Sequence, residues 1–225
     1  MKLLVIEDED SLKNSIVDFL SASGYLCESA ATYQEAIEKI DYHEYDCIVL
    51  DIMLPGGSGL ELLRYLKQDG KPDGIIIISA NGALEDKIEG LQIGADDYLT
   101  KPFHLSELSM RIAAIIRRKK FNGQFIIQLN NIQIDTSGQL VTVNKEPVDL
   151  TVKEYQLLLF LVTNKNRVVS KNAIAEHLWG DGMDFPASYD FIYSHIKNLR
   201  KKMLQAGSDD CIRSIYGAGY KFQSP

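Results

Sequence analysis

Between residues 1 and 120 the chain repeats one rhythm: a short run apolar on both faces, then an amphipathic stretch of helical period. The runs are 3–6, 26–29, 47–50, 75–78 and, more weakly, 98–99, and the amphipathic stretches include 12–20, 60–66 and 105–116. A strand apolar on both sides must be covered on both, and the crossover helices of a parallel sheet do this. Five such units predict an α/β doubly wound domain with a five-stranded parallel sheet.

After Arg117-Arg118-Lys119-Lys120 and the Asn122-Gly123 break the rhythm changes. Segments 125–129, 132–134, 140–143 and 147–150 are strand-like and separated by turn residues, which predicts antiparallel pairing. Helical segments follow at 151–164, 171–179 and 187–204, and runs 211–215 and 220–222 flank Tyr216-Gly217-Ala218-Gly219 as a hairpin. Strands grouped before helices predict a separate α+β domain. The expected boundaries are 1–120, a short linker at 121–124, and 125–225.

Composition removes several classes. With 45% hydrophobic and 24% charged residues, the chain can bury enough apolar surface to fold, so it is not a disordered one. No apolar run approaches the ~20 residues that span a bilayer. The opening MKLLVIEDED sets four carboxylates where a secretory signal would continue its apolar stretch. Cys27, Cys47 and Cys211 form no close-spaced pair and read as thiols of a reducing compartment. The expectation is a soluble cytoplasmic protein. Lys+Arg against Asp+Glu stands at 13 to 21 up to residue 120 and 11 to 10 after it. The acidity therefore belongs to the first half, and local clustering governs what the second can bind.

Ligands of an open parallel sheet bind beyond the carboxyl ends of its strands. Standing there are Glu7 and Asp8 after the first run, Asp51 after the third, Ser79 after the fourth and Lys101 after the fifth. Three carboxylates without thiol or imidazole suit a hard divalent cation, Mg²⁺ above all. A carboxylate beside it can attack a phosphoryl group, whose oxygens a lysine and a hydroxyl would stabilise. Asp51, central and ahead of Met53-Leu54-Pro55-Gly56-Gly57, is the expected nucleophile. Two readings fit this chemistry: a protein that stores one phosphoryl group, or a Mg²⁺-dependent phosphohydrolase. The second needs a general acid/base and a substrate pocket. The sequence offers no cap insertion for them, nor a P-loop, GxSxG, HExxH or GxGxxG motif.

Leu4-Val5-Ile6-Glu7-Asp8-Glu9, Asp51-Ile52-Met53-Leu54-Pro55, Ile78-Ser79-Ala80 and Gly94-Ala95-Asp96-Asp97-Tyr98-Leu99-Thr100-Lys101-Pro102-Phe103 closely resemble the receivers of bacterial two-component response regulators. The resemblance implies that a sensor histidine kinase phosphorylates Asp51, with Glu7, Asp8 and the Met53 backbone carbonyl holding Mg²⁺. It implies that Ser79 and Tyr98 move together as the switch, that Lys101 contacts the phosphoryl group, and that Lys101-Pro102 is a cis step. Glu107, Arg111 and Arg118 lie within ~40° of one another around a helix of 3.6 residues per turn. In the OmpR/PhoB group that the chain resembles, matching positions pair across a homodimer. Carried over, the pairs are Lys87 with Glu107, Asp97 with Arg111 and Asp96 with Arg118. An i,i+4 pair of Glu107 and Arg111 within one helix is the alternative.

In 187–204, Ile192, Ile196, Leu199 and Met203 form one apolar stripe. Ser194, Lys197, Asn198 and Lys201 lie opposite, flanked by His195, Arg200 and Lys202. A helix apolar along one edge and basic along the other can enter the major groove of double-stranded DNA. Leu150-Thr151-Val152-Lys153-Glu154-Tyr155, Val168-Val169-Ser170-Lys171, Leu178-Trp179-Gly180, His195-Ile196-Lys197-Asn198-Leu199-Arg200-Lys201-Lys202 and Ile215-Tyr216-Gly217-Ala218-Gly219-Tyr220 resemble the winged helix-turn-helix effector of the same group. That implies a wing carrying Ser214 and Tyr216 to the DNA, tandem half-sites, and an RNA polymerase contact at 180–187. Thr151 with Glu154 reads independently as a capping box, and Trp179 as a core residue. The family usually has arginine where Asp190 stands, aspartate at Tyr193 and arginine at Tyr216, so base preference does not carry over. The sequence thus predicts a phosphorylation-activated DNA-binding transcription regulator, not an enzyme.

Overall fold

Strands buried on both faces build the first sheet. The computed structural model describes residues 1–68, 70–71, 74–80, 84–180 and 189–223. They fall into two units, Met1–Gly123 and Gln124–Pro225. In the first, β1 (Lys2–Ile6), α1 (Asp10–Ala22), β2 (Leu26–Ala30), α2 (Tyr33–Tyr42) and β3 (Cys47–Asp51) are followed by the two-residue strands β4 (Met53–Leu54) and β5 (Gly57–Ser58). Then come α3 (Gly59–Gln68), β6 (Gly74–Ser79), α4 (Leu84–Ile93), β7 (Asp97–Thr100) and α5 (Leu105–Phe121). The main sheet has the order β2-β1-β3-β6-β7 and is parallel throughout. Every residue of β1, β3 and β6 is buried, as the unbroken apolar runs require.

Alternation sends successive side chains to opposite faces. Leu4, Ile6, Ile48, Leu50, Ile75 and Ile77 share one core with Ala36 and Ile40 of α2 and Leu62, Leu63 and Leu66 of α3. Helices α1 and α5 cover the other face, burying Ile16, Leu20, Leu108, Ile112 and Ile115. Local chemistry sets the ends: the Thr32 side chain accepts from Glu35 N to cap α2. Asn122, at φ 50°, closes α5 in the left-handed conformation that asparagine tolerates. Phe121, the first residue of the expected linker, belongs to α5.

In the second unit β8 (Ile126–Leu129), β9 (Ile132–Asp135), β10 (Leu140–Val143) and β11 (Glu146–Pro147) form an antiparallel sheet. Both Asn144 and Lys145 have positive φ, the conformation of a two-residue hairpin turn of primed type. The expected strand at 147–150 is shorter and earlier: β11 covers Glu146–Pro147 at the edge of the sheet, and one further ladder bond runs from Val148 N to Val141 O at 2.8 Å. Helices α6 (Val152–Thr163), α7 (Lys171–Trp179) and α8 (Asp190–Gln205) follow, then the hairpin β12 (Ile212–Ile215) and β13 (Gly219–Phe222). The capping box on α6 is complete, with Thr151 and Glu154 bonded reciprocally. The predicted stripe of Ile192, Ile196, Leu199 and Met203 is the buried edge of α8, which packs on α6. Residues 187–188 of the expected helix and 181–187 of the expected polymerase loop lie outside the described residues.

Candidate functional site: an acidic pocket and a basic helix face

The parallel sheet brings residues 94 positions apart in sequence into contact. Lys101, following β7, extends its ammonium between two carboxylates, 2.7 Å from Glu7 Oε2 and 2.5 Å from Asp51 Oδ2. The other Asp51 oxygen, Oδ1, accepts from Met53 N at 3.1 Å. Glu7 Oε1 accepts from Glu9 N at 3.3 Å. Glu7 and Asp51 are buried, whereas Asp8 is exposed. One oxygen from each of Glu7, Asp8 and Asp51 falls within a span of 4.8 Å.

The electrostatics follow from burial. Desolvation, with the Asp51 charge adding to it, raises the Glu7 carboxyl above its ordinary range against the pull of Lys101. Burial by itself would lower Lys101, but the bonds to Asp51 and Glu7 outweigh it and hold the ammonium above its usual value. The result is a pocket whose single cation offsets part of a larger negative charge. Three oxygen donors without sulfur or nitrogen form the donor set of a hard divalent cation.

Ser79 closes β6 fully buried, and its carbonyl accepts from Lys101 N at 2.8 Å. Tyr98 lies on the neighbouring strand β7, opposite Ile77, with its ring buried. The Lys101-Pro102 bond is cis. Met53 has its side chain exposed and its backbone in the β4–β5 turn beside Asp51.

Gly59 is a site residue that motif reading missed. Its N–H donates to Ile52 O at 2.8 Å, and a Cβ there would stand 2.0 Å from the Asp51 carbonyl oxygen. No local motif marks it, because the contact is a close approach of two backbones.

Of the charges proposed for a dimer face, Asp96, Asp97, Glu107 and Arg111 have side-chain ion-pair partners within the chain. Arg111 bonds Asp97 at 2.9 Å and Glu107 at 2.8 Å, so the i,i+4 alternative is present alongside the Asp97 pair. The Asp96 carboxylate takes Lys119 at 3.2 Å and the Ile75 N–H at 2.9 Å, whereas Arg118 reaches only the Asp96 carbonyl, at 3.4 Å. Lys87 is exposed on α4, near the exposed apolar residues Ile88 and Leu91.

On α8, Ser194, Lys197, Asn198 and Lys201 are exposed together opposite the buried stripe. Three neighbours are diverted, Lys202 by the buried Glu154 carboxylate at 2.7 Å. Arg200 is held bidentately by Asp210 at 2.6 and 3.1 Å, which satisfies its charge inside the unit. His195 is half-buried and tilts against Trp179 at 5.5 Å between centroids. Trp179 also meets Phe191 edge-on at 4.7 Å and lies beneath the Lys153 ammonium, so it packs within the unit as expected. Ser214 and Tyr216 are exposed on and beside the hairpin, Tyr216 completely.

Residues 3–113 match the response regulator receiver domain, and residues 145–222 match the C-terminal domain of transcriptional regulatory proteins. The chain is 38% identical to the response regulator ArlR of Staphylococcus haemolyticus, covering 97% of each. It is 36% identical to the two-component response regulator PhoP of Pseudomonas aeruginosa, over 99% of this chain and 98% of that one. Among solved structures, the receiver domain of the Francisella response regulator 1452 aligns with a TM-score of 0.51 at 38% identity, covering 53% of this chain and 98% of that one. Among the described residues no helix is long and apolar enough to cross a membrane. The chain belongs to the OmpR/PhoB-type response regulators and is a phosphorylation-dependent regulator of transcription, built from a receiver domain and a DNA-binding C-terminal domain.

Proposed function

We propose that Asp51 is the phosphoacceptor. The observation that carries this is its side chain, buried and fixed on both oxygens, by Met53 N on one and Lys101 on the other. An Asp51 oxygen attacks phosphorus on the phosphohistidine of a sensor kinase. The P–N bond breaks, the imidazole leaves and takes a proton, and an acyl phosphate remains. Lys101 and Ser79 bond the phosphoryl oxygens. Mg²⁺ fits the donor set; Glu7, Asp8, Asp51 and the Met53 carbonyl would hold it, and it would neutralise charge on those oxygens. The protein turns over no external substrate, and at most hydrolyses its own acyl phosphate slowly.

Ser79 drawn toward the phosphoryl group and Tyr98 packing behind it form a two-state switch. It favours a homodimer through Lys87, Asp96, Asp97, Glu107, Arg111 and Arg118, with the Asp97–Arg111 pair now closed within one chain exchanging between two. Residues 1–120 serve as the receiver and 125–225 as the effector, with the last helix of the receiver running on through Phe121 into the 121–124 linker. Ser194, Lys197, Asn198, Lys201, Ser214 and Tyr216 face double-stranded DNA at tandem half-sites, with His195 and Arg200 at the margin. RNA polymerase is the further partner, and the cytoplasm the site of action.

Intact mass after incubation with Mg²⁺ and acetyl phosphate tests the central step. Wild type gains one phosphoryl group and Asp51→Ala gains none. Equal gain by both proteins would place the acceptor elsewhere, and no gain by either would mean that the pocket does not take phosphate.

A further inference from the structure

Helices α7 and α8 meet through a cluster that the DNA reading leaves unused. Lys171, the first residue of α7, donates from Nζ to the Tyr193 hydroxyl on α8. Its ammonium stands 4.7 Å from the centroid of the Tyr193 ring and 5.8 Å from that of Tyr189. The Tyr189 hydroxyl donates to Asn172 Oδ1, tying the same helix ends together. The Tyr193 ring meets Tyr220 of β13 edge-on at 6.4 Å, so the phenol is braced from the hairpin side. Among the described residues Lys171 forms no ion pair, and its side-chain partners are phenols.

A carboxylate at position 193 would hold the same ammonium and neutralise it. A phenol holds it by a neutral hydrogen bond and leaves the positive charge available. Tyr193, Lys197 and Lys201 follow one another at intervals of four on one side of α8. All three line a groove of about 580 Å³ between α8 and the hairpin. The braced ammonium therefore lies beside the phenol that opens this basic groove.

We propose that Tyr193 is a positioning residue of the DNA interface, holding the Lys171 ammonium un-neutralised at the rim of the α8 groove to take a backbone phosphate of duplex DNA. The proposal rests on the DNA-binding reading and deepens it. Phosphate contacts of this kind fix register without reading sequence, so any duplex reports on them.

The test is the affinity of the full-length chain for a 30-base-pair duplex of mixed sequence, measured against NaCl concentration. Each phosphate neutralised contributes about 0.9 to the slope of log K against log salt. Lys171→Met lowers the slope by about 0.9. Tyr193→Phe keeps the ring against Tyr220 and loses only the hydroxyl; it weakens binding of the wild-type background at low salt and has no effect when Lys171→Met is already present. An unchanged slope in Lys171→Met would overturn the phosphate contact. Equal losses from Tyr193→Phe in both backgrounds would make Tyr193 an independent DNA contact and sink the positioning role, as would no loss in either. A wild type that binds no duplex at low salt overturns the DNA-binding reading itself, whereas wild-type binding with silent variants overturns only this inference.

Discussion

Lys101→Met, which keeps the side-chain length and removes the charge, is expected to lower the rate of phosphoryl uptake from acetyl phosphate about 10²-fold. It is also expected to cost about 3 kcal/mol of stability in metal-free buffer. The first effect follows from losing a preorganised cation at the oxygens where charge develops. The second follows from the same two bonds: Glu7 and Asp51 are buried and share the one ammonium. Without it, two desolvated carboxylates face each other, and stranding a buried charge is what makes breaking such a pair expensive. Asp8, being exposed, keeps its hydration and adds little to the loss. A divalent cation binds the folded pocket and not the unfolded chain, so millimolar MgCl₂ should shrink the deficit by mass action, and a chelator should restore it. Asp51→Asn added to Lys101→Met should recover stability without recovering phosphorylation. Urea titration followed by circular dichroism, with and without Mg²⁺, reads all of this. A Lys101→Met protein as stable as wild type in chelator would mean that the ammonium is not what balances the pocket.

The pocket was legible because a parallel sheet converts strand ends into neighbours. Glu7, Asp51 and Lys101 are far apart in sequence, yet each follows an apolar run, and the topology alone places them on one rim. The stripe on α8 was legible for a similar reason: periodicity predicts which edge is buried, and Ile192, Ile196, Leu199 and Met203 are buried. What periodicity does not encode is which partner a long charged side chain finds. Arg200 lies beside the polar face of α8, but Asp210, beyond the turn that ends the helix, captures it. Arg111 can reach a neighbouring chain or its own Asp97 with the same rotatable bonds, and Lys119 rather than Arg118 takes the Asp96 carboxylate. Strand 147–150 is cut short at Pro147, with a single further ladder bond from Val148 N to Val141 O. Lys171 passed unremarked because its meaning depends on Tyr193, which is 22 residues away.

Gly59→Ala is expected to cost more than about 3 kcal/mol and to abolish most phosphoryl uptake, though it touches no charged group of the pocket. An added Cβ would stand 2.0 Å from the Asp51 carbonyl oxygen and 2.8 Å from Ile52 Cα. Both are backbone atoms, so no side-chain rotation relieves the overlap, and inserted atoms in well-packed sites already cost 1–3 kcal/mol where rotamers can yield. Either α3 separates from the end of β3, losing the Gly59 N–H bond to Ile52 O and the packing of Leu62, Leu63 and Leu66, or Asp51 moves. Displacement of the nucleophile by about 1 Å suffices to cost ~10²-fold in rate, so both routes end in a defective acceptor. Gly56 provides the contrast three residues earlier. Its Cβ would meet nothing within 4 Å, but its φ of +85° strains any side chain, so Gly56→Ala should lose only about 1 kcal/mol and keep its phosphorylation. Comparing the two alanine variants by thermal melting and by intact mass after acetyl phosphate separates close approach from backbone conformation. Equal, mild effects at both positions would mean that β3 and α3 can part without cost, and that Gly59 does not position Asp51.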